Sequence, residues 1–136
     1  EFGRIIGKKL KNTSFESIDY IIPVPLHRKR LKERGYNQSE LIAKGISSII
    51  DKPVLNDVIE RVEFVESQTR KSKFDRWLNV ESSFRVINSS ILTGKHLMLV
   101  DDVITTGSTI DAISQEILKL QNTKISVVTM CVASKY

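Results

Sequence analysis

Two adjacent carboxylates followed by a loop of hydroxyl side chains form the segment best suited to chemistry. Asp101 and Asp102 come directly after the apolar run 97–100. A small loop then presents four hydroxyl residues and a glycine: Thr105, Thr106, Gly107, Ser108 and Thr109. A carboxylate pair can accept hydrogen bonds from a vicinal diol or hold Mg²⁺, and such a loop at a helix start suits a phosphate. The segment therefore predicts a site for a phosphorylated ligand that also carries hydroxyls or Mg²⁺.

Strands that alternate with helices are the elements that would position this segment. Apolar, β-branched runs predict four strands, over residues 18–26, 54–62, 97–100 and 125–133. Helical spacing of apolar residues predicts three helices, over residues 2–10, 37–51 and 110–120. This alternation predicts an α/β fold with a mainly parallel sheet flanked by helices. Ligands of such sheets bind beyond the carboxyl ends of the strands, which is where the two carboxylates follow their strand.

A second segment combines a strand end with most of the excess positive charge. The chain has 21 Lys and Arg residues against 16 Asp and Glu, a net charge of +5. Residues 27–34 alone hold five basic side chains and one acidic one. Arginine and lysine side chains after a strand end suit a pyrophosphate group. The alternative is a solvated basic loop that binds nothing, which is the commoner fate of a run of charges.

Composition narrows the class of protein. A length of 136 residues predicts one domain over residues 1–136. A single cysteine, Cys131, excludes a disulfide within the chain and a cysteine-built zinc site. The apolar runs are far shorter than the ~20 residues of a membrane span, and no signal sequence opens the chain. We therefore expect a cytoplasmic protein with no membrane partner.

Two motifs carry a resemblance to a known family. The string 97–109 resembles the phosphoribosyl pyrophosphate (PRPP) motif of type I phosphoribosyltransferases. Pro23-Val24-Pro25-Leu26-His27, followed by Arg34-Gly35-Tyr36-Asn37-Gln38, resembles the ComF family of phosphoribosyltransferase-like proteins, which are linked to DNA uptake in natural competence. ComF proteins commonly begin with a cysteine-rich zinc ribbon, for which this chain lacks the cysteines. The resemblance implies a three-layer type I phosphoribosyltransferase fold and Mg²⁺–PRPP as substrate.

The resemblance also implies roles for individual residues. Asp101 and Asp102 would bind the ribose hydroxyls, take part in catalysis and contact the Mg²⁺ that PRPP brings, and the loop Thr105, Thr106, Gly107, Ser108 and Thr109 would bind the 5′-phosphate. The pyrophosphate would be bound by Pro25, Leu26, His27, Arg28 and Arg34.

A flexible loop over residues 63–84, entered just after Arg61, would contribute Gln68, Arg70, Lys71, Arg76 and Asn79. Arg76 would be catalytic. Such a loop excludes water from a reactive oxocarbenium-like centre. Residues 1–17 would form an N-terminal helix and its connection.

Three functions remain open from the sequence. The first is transfer of phosphoribosyl to a nitrogen acceptor in nucleoside metabolism, with release of pyrophosphate. The second is a PRPP- or nucleotide-binding module that acts through competence proteins. Thr105 favours the second, since purine-salvage relatives tend to have Asp there, and no residue pattern identifies an acceptor. Single-stranded DNA binding has the weakest support, because only Tyr36 and Trp77 accompany the basic segments. A homodimer is expected from the resemblance alone.

Overall fold

The computed structural model describes residues 1–62 and 84–133. The helices in these ranges are α1 (Phe2–Leu10), α2 (Arg28–Arg34), α3 (Gln38–Ile50), α4 (Ser89–Leu92) and α5 (Ser108–Leu118). The strands are β1 (Tyr20–Pro23), β2 (Ile59–Arg61), β3 (Phe84–Val86), β4 (His96–Ile104) and β5 (Lys124–Val132). A 3₁₀ turn, Ser14–Ser17, connects α1 to β1. Within the described residues no helix has both the length and the apolar character to cross a membrane.

A parallel sheet of three strands, in the order β1–β4–β5, forms the centre of the fold. β4 pairs with β1 through Ile22 and Leu99, among others, and with β5 along almost its whole length. Residues 97–100 of β4 are fully buried. A strand covered on both faces needs apolar side chains at consecutive positions, which explains the run Leu97-Met98-Leu99-Val100.

Two hydrophobic cores lie on the two faces of this sheet, because successive side chains of a strand point in opposite directions. The core that contains α3 comprises Ile18, Ile21, Ile42, Ala43, Ile46, Ile50, Met98 and Val100. The core that contains α5 and the β2–β3 hairpin includes Ile22, Phe84, Leu97, Leu99, Ile110, Ile113 and Ile117. The predicted three-layer α/β fold with a mainly parallel sheet is confirmed.

β4 continues four residues beyond the strand that the apolar run predicts. Asp101 pairs with Thr129 of β5, Val103 with Cys131 and Ile104 with Val132. The carboxylate pair therefore lies within the strand and not in the loop after it. Hydrogen bonding to β5 holds the backbone of both residues in place, even though their side chains are polar.

The basic run folds as a helix, α2, which is not among the three helices that the apolar spacing predicted. His27 caps α2, its Nδ1 accepting a hydrogen bond from the Lys29 N–H at 3.2 Å. Gly35 ends the helix with a φ of 78°, and its N–H donates to the Leu31 carbonyl. Arg, Lys and Glu are good helix formers, and glycine adopts the left-handed conformation without steric cost. α2 buries none of its residues, so its sequence lacks the apolar spacing by which the other helices were predicted.

Residues 54–62 do not form the single strand that the sequence predicted, but take part in two separate strand pairings. Val54 forms an isolated bridge to Ile21 of β1, and β2 pairs antiparallel with β3. Arg61 lies opposite Phe84 in that hairpin. The hairpin joins the two ends of residues 63–83, which lie outside the described part of the chain.

α1 and α3 approach each other closely through glycines. A Cβ added to Gly45 would lie 2.8 Å from the Gly3 Cα and 2.9 Å from the Arg4 backbone nitrogen. A Cβ on Gly3 would meet the Ile42 carbonyl oxygen. Backbone atoms cannot move aside as a side chain can, so the crossing of the two helices depends on these glycines.

We therefore expect Gly45→Ala to lower the free energy of unfolding by about 1–3 kcal/mol, measured by urea denaturation. This overpacking cost outweighs the gain of roughly 1 kcal/mol that alanine brings to a helix interior. Lys44→Ala, at an exposed position of the same helix, is the control and should change stability by less than about 0.5 kcal/mol. A stabilised Gly45→Ala variant would contradict the close crossing.

Candidate functional site

The carboxylate pair and the end of β1 enclose one cavity. It has a volume of about 170 Å³. Its lining comprises Val24, Pro25, Leu26, His27, Arg30, Arg61, Asp101, Asp102, Val103 and Thr109. Three of the residues predicted to bind pyrophosphate thus face the two residues predicted to bind ribose. We call this the arginine cavity.

A smaller cavity adjoins it at the start of α5. It has a volume of about 40 Å³ and is lined by the whole loop 105–109 together with Asp101, Val103 and Ile110. The two cavities share Asp101, Val103 and Thr109. We call the smaller one the hydroxyl cavity. The structure therefore brings the two predicted motifs together around one aspartate, although residues 23–38 and 97–109 are far apart in the sequence.

The loop before α5 has the geometry of an anion site. Gly107 adopts a φ of 81°, a conformation that favours glycine, and forms the start of the helix. Thr106 Oγ1 lies 3.0 Å from Ser108 Oγ and accepts a weak hydrogen bond from the Ser108 N–H. The N-cap residue, Gly107, has no side chain that could accept from the first N–H groups of the helix. Free N–H groups and hydroxyls at the N-terminus of an eleven-residue helix favour a phosphate, both by hydrogen bonding and through the helix dipole.

Asp101 is half-buried and hydrogen-bonded on one oxygen. Its Oδ1 accepts from the Asp102 N–H at 2.9 Å and from Ser39 Oγ at 3.4 Å. Burial raises the pKa of Asp101, and the Asp102 side chain raises it further, whereas the Asp102 N–H and the Ser39 hydroxyl lower it. The charged carboxylate is therefore costly in the free protein, and a hydroxyl donor or a cation would stabilise it.

Asp102 is held by contacts of its own. Its Oδ1 accepts from the Val103 N–H at 2.8 Å, and its carbonyl oxygen accepts from Thr129 Oγ1 at 3.1 Å. The second contact ties the backbone of the carboxylate pair to β5. Both aspartates are thus positioned before any ligand arrives, which lowers the entropic cost of binding.

Arg61 lines the arginine cavity without having been assigned a role from the sequence. Its Nε is buried and has no hydrogen-bond partner among the described residues, and its Cζ lies 5.0 Å from the Phe84 ring centroid. Burial, followed by the charge of Arg30, lowers the pKa of Arg61, whereas Asp101 raises it. Two guanidinium groups held close together in a cavity indicate an anion site. The sequence placed Arg61 before the flexible loop, but only the β2–β3 register directs it into the cavity.

Other predicted residues lie elsewhere. Arg28 and Arg34 are exposed on α2 and do not line either cavity, whereas Arg30, which the same basic run places beside them and which was also expected to act on the pyrophosphate, does. The predicted loop residues Gln68, Arg70, Lys71, Arg76 and Asn79 lie outside the described ranges. The roles given to all of these residues stay predictions.

Asp101 and Asp102 provide too few ligating atoms to hold Mg²⁺ by themselves, but could hold it together with oxygens of a bound ligand. Among residues 1–62 and 84–133 no group of three or more His, Cys, Asp or Glu side chains could hold a metal ion. Mg²⁺ is usually bound through one or two carboxylates together with phosphate oxygens of the substrate. Asp101 and Asp102 supply carboxylates of this kind and leave the remaining positions to a ligand and water.

The sequence is similar to one protein family and to several named bacterial proteins. The phosphoribosyl transferase domain family matches residues 39–135. Competence protein F of Haemophilus influenzae is 40% identical over 108 residues, covering 79% of this chain and 47% of that protein. DNA utilization protein YhgH of Escherichia coli O157:H7 is 32% identical over 121 residues, covering 89% and 52%. The chain thus spans about half the length of these curated relatives.

The fold is shared with a solved structure as well. The purine phosphoribosyltransferase of Pyrococcus horikoshii superposes with a TM-score of 0.57 at 19% identity, over 96% of this chain and 70% of that one. An identity this low shows the fold alone. Together with the named relatives, it confirms the resemblance that the two sequence motifs indicate.

The half-buried Asp101 leads to a prediction about stability and pH. Because the pKa of Asp101 is raised in the folded state, folding favours the protonated carboxyl. The free energy of unfolding therefore decreases as the pH rises through this pKa and the carboxyl becomes charged. We expect Asp101→Asn, which keeps an oxygen acceptor without the charge, to raise the free energy of unfolding at about pH 7. The gain should shrink as the pH falls towards about 4 and the wild-type carboxyl becomes protonated.

Urea unfolding across this pH range is the measurement. Asp57→Asn, at an exposed position, is the control and should stay within about 0.5 kcal/mol of the wild type throughout. A gain in Asp101→Asn that is independent of pH would show that charge burial is not its cause.

Proposed function

The chain belongs to the phosphoribosyl transferase domain family, and we propose on that premise that it binds Mg²⁺–PRPP and transfers phosphoribosyl to a nitrogen acceptor. The observation that carries the proposal is the position of Asp101, which lines both cavities. A ligand lying across them needs a phosphate at one end, hydroxyls in the middle and a second strongly anionic group at the other end. PRPP has these three parts in this order.

Each part of PRPP has a matching set of protein groups. The 5′-phosphate would occupy the hydroxyl cavity, receiving hydrogen bonds from the loop 105–109 and the first N–H groups of α5. The ribose hydroxyls would donate to Asp101 and Asp102. The pyrophosphate would enter the arginine cavity, where Arg61 and Arg30 supply positive charge and the Pro25–His27 backbone forms the wall. Mg²⁺ would neutralise pyrophosphate oxygens and be held by that group and the carboxylates.

The transfer follows from this placement. The lone pair of the acceptor nitrogen forms the new bond to the anomeric carbon, the bond from that carbon to the pyrophosphate oxygen breaks, and its electron pair leaves with pyrophosphate. The proton lost by the nitrogen passes to the released pyrophosphate. The protein contributes no covalent nucleophile. Its residues hold the sugar in position and stabilise the developing negative charge, with Arg61 close to the leaving group.

A binding role without transfer is the second proposal, and Thr105 favours it. This residue is exposed in the hydroxyl cavity and has no group that could exchange a proton with an acceptor near neutral pH. The relatives named competence protein F and DNA utilization protein connect either activity to the use of DNA. In this version the PRPP-bound domain acts through protein partners of DNA uptake. Direct contact between DNA and the exposed basic face of α2 has less support, since α2 is followed by a single aromatic residue, Tyr36.

Calorimetry with Mg²⁺–PRPP tests the site. We expect binding to the wild type and a loss of at least about 100-fold in affinity for Asp101→Asn combined with Asp102→Asn, since hydrogen bonds to charged groups contribute about 1.5–3 kcal/mol each. Equal affinities would overturn the assignment of the carboxylates. Release of pyrophosphate on addition of nitrogen acceptors then separates the two proposals, because a pure binding module releases none.

Arg61 provides a second test, with a control on the same hairpin. We expect Arg61→Gln to weaken PRPP binding by roughly 10- to 100-fold, because the half-buried guanidinium facing a pyrophosphate is only partly screened by water. Arg85→Gln removes an arginine that is 64% exposed and paired with Glu60 at 3.0 Å, and it should change the affinity less than about twofold. Similar losses in the two variants would indicate a general charge effect and contradict a direct contact from Arg61.

A further inference from the structure

We propose that Ser39 is a positioning residue that fixes the orientation of the Asp101 carboxylate for a ribose-containing ligand. Its Oγ donates to Asp101 Oδ1 at 3.4 Å, although the two residues are 62 positions apart in the sequence. Ser39 lines neither the arginine cavity nor the hydroxyl cavity, so it acts through Asp101 and not by touching a ligand. The inference rests on the proposed function, since the orientation of Asp101 matters only if its carboxylate accepts from ribose hydroxyls.

Ser39 is the one polar residue that is buried among residues 1–62 and 84–133. It is 4% exposed. The other buried residues of α3 are apolar: Ile42, Ala43, Ile46 and Ile50. A hydroxyl group removed from water in such surroundings reduces stability unless it forms a hydrogen bond. Asp101 accepts that hydrogen bond, so the carboxylate explains why a serine occupies this position.

Two other hydroxyl residues in helices donate to carbonyls of their own helix. Ser48 donates to the Gly45 carbonyl and Thr93 to the Ser89 carbonyl, both at 2.8 Å. Such local bonds, to a residue three or four positions earlier, are common for serine and threonine in helices. Ser39 is the second residue of α3, so the residues three and four positions before it precede the helix. Its hydroxyl instead joins α3 to β4.

The contact determines which oxygen of Asp101 is available to a ligand. Rotation about the last side-chain bond of an aspartate is only weakly restricted, so an isolated carboxylate presents either oxygen. Here Oδ1 accepts both from Ser39 and from the Asp102 N–H at 2.9 Å, which ties the carboxylate to α3 and to β4. Oδ2 accepts no hydrogen bond within the described part of the chain. This oxygen is therefore left for the hydroxyls of a ligand in the cavities that Asp101 lines.

Asn37 holds Ser39 in place. Its Oδ1 accepts from the Ser39 N–H at 3.1 Å, and its Nδ2 donates to the Val24 carbonyl at 3.0 Å. The Val24 N–H donates to the carbonyl of Val100, the residue before Asp101 on β4. These bonds form a closed path from β4 through the end of β1 and the start of α3 back to the carboxylate. Asn37, which lines neither cavity, thereby contributes to the position of Asp101.

Binding of three ligands to matched variants tests the role. Ser39→Ala removes the donor. Ser47→Ala is the control, because it is the same substitution on the same helix and also removes a hydrogen bond, from the Ser47 hydroxyl to the Lys52 carbonyl at 2.7 Å. Mg²⁺–PRPP, followed by calorimetry, and ribose 5-phosphate, followed by NMR titration, carry ribose hydroxyls. Inorganic phosphate, also followed by NMR, carries none. Circular dichroism verifies that both variants fold.

We expect Ser39→Ala to weaken binding of Mg²⁺–PRPP and of ribose 5-phosphate by about fivefold or more, because a carboxylate that rotates must be ordered on binding. Its affinity for phosphate should stay within about twofold of the wild type, as should the affinity of Ser47→Ala for all three ligands. A contribution to folding alone would not distinguish the ligands. Unchanged affinities in Ser39→Ala, or equal losses for ribose 5-phosphate and phosphate, would overturn the positioning role.

A double-mutant cycle tests the contact without any ligand. In the wild type, Ser39→Ala should lower the midpoint of urea unfolding by roughly 0.3–1 M, because it removes a buried hydrogen bond to a carboxylate. In an Asp101→Ala background the hydroxyl has no acceptor, so Ser39→Ala should leave the midpoint unchanged or raise it. The same decrease in both backgrounds would show that Ser39 does not act on Asp101.

The two measurements distinguish failure of this inference from failure of the proposed function. If Mg²⁺–PRPP does not bind to the wild type, the proposed function fails, and ribose 5-phosphate together with the double-mutant cycle decides whether Ser39 positions Asp101. If Mg²⁺–PRPP binds to the wild type and to Ser39→Ala with equal affinity, the proposed function stands and the positioning role is overturned.

Discussion

The pairing of β4 with parallel strands on both sides is the constraint on which the rest of the structure depends. Its first half, residues 97–100, is buried between the two hydrophobic cores, and its second half carries Asp101 and Asp102 along β5. Burial of residues 97–100 stabilises the strand, and this packing keeps the backbone of Asp101 and Asp102 rigid. A carboxylate pair on a free loop would lose conformational entropy on binding a ligand, whereas here the hydrogen bonds to β5 have already fixed the backbone.

The site holds charges that the free protein satisfies only in part. Asp101 is half-buried beside a second carboxylate, and Arg61 has a buried Nε without a partner among the described residues. Arg30 adds a second positive charge to the same cavity. Each of these arrangements reduces stability in the absence of a ligand and favours one that brings hydroxyls, a cation and anionic oxygens. Functional sites commonly trade stability for binding in this way.

The segment after β1 shows how one stretch of sequence can line two separate spaces. Residues Pro25–His27 and Arg30 line the arginine cavity, and Tyr36 and Gln38 line an apolar cleft of about 430 Å³ beside Asp102, with Asn37 between them bonded to the Val24 carbonyl directly after β1. In the sequence this segment forms one continuous basic motif. In three dimensions the capped helix α2 turns the chain back, so that the residues before and after the helix face different spaces around the same carboxylates.

The sequence by itself determined the layers of the fold and the residues of the phosphate loop, because these depend on local patterns. Apolar runs and helical spacing mark β4, α3 and α5, and a strand followed by Asp101-Asp102 and a glycine-containing loop marks a phosphorylated ligand. Only the tertiary structure decided that Arg30 and Arg61 face the cavity while Arg28 and Arg34 do not, and that an apolar cleft adjoins Asp102. Those facts depend on the cap that begins α2 and on the β2–β3 register. The residue types of β2 and β3 are compatible with other registers, so local propensity does not predict the register that places Arg61 in the cavity.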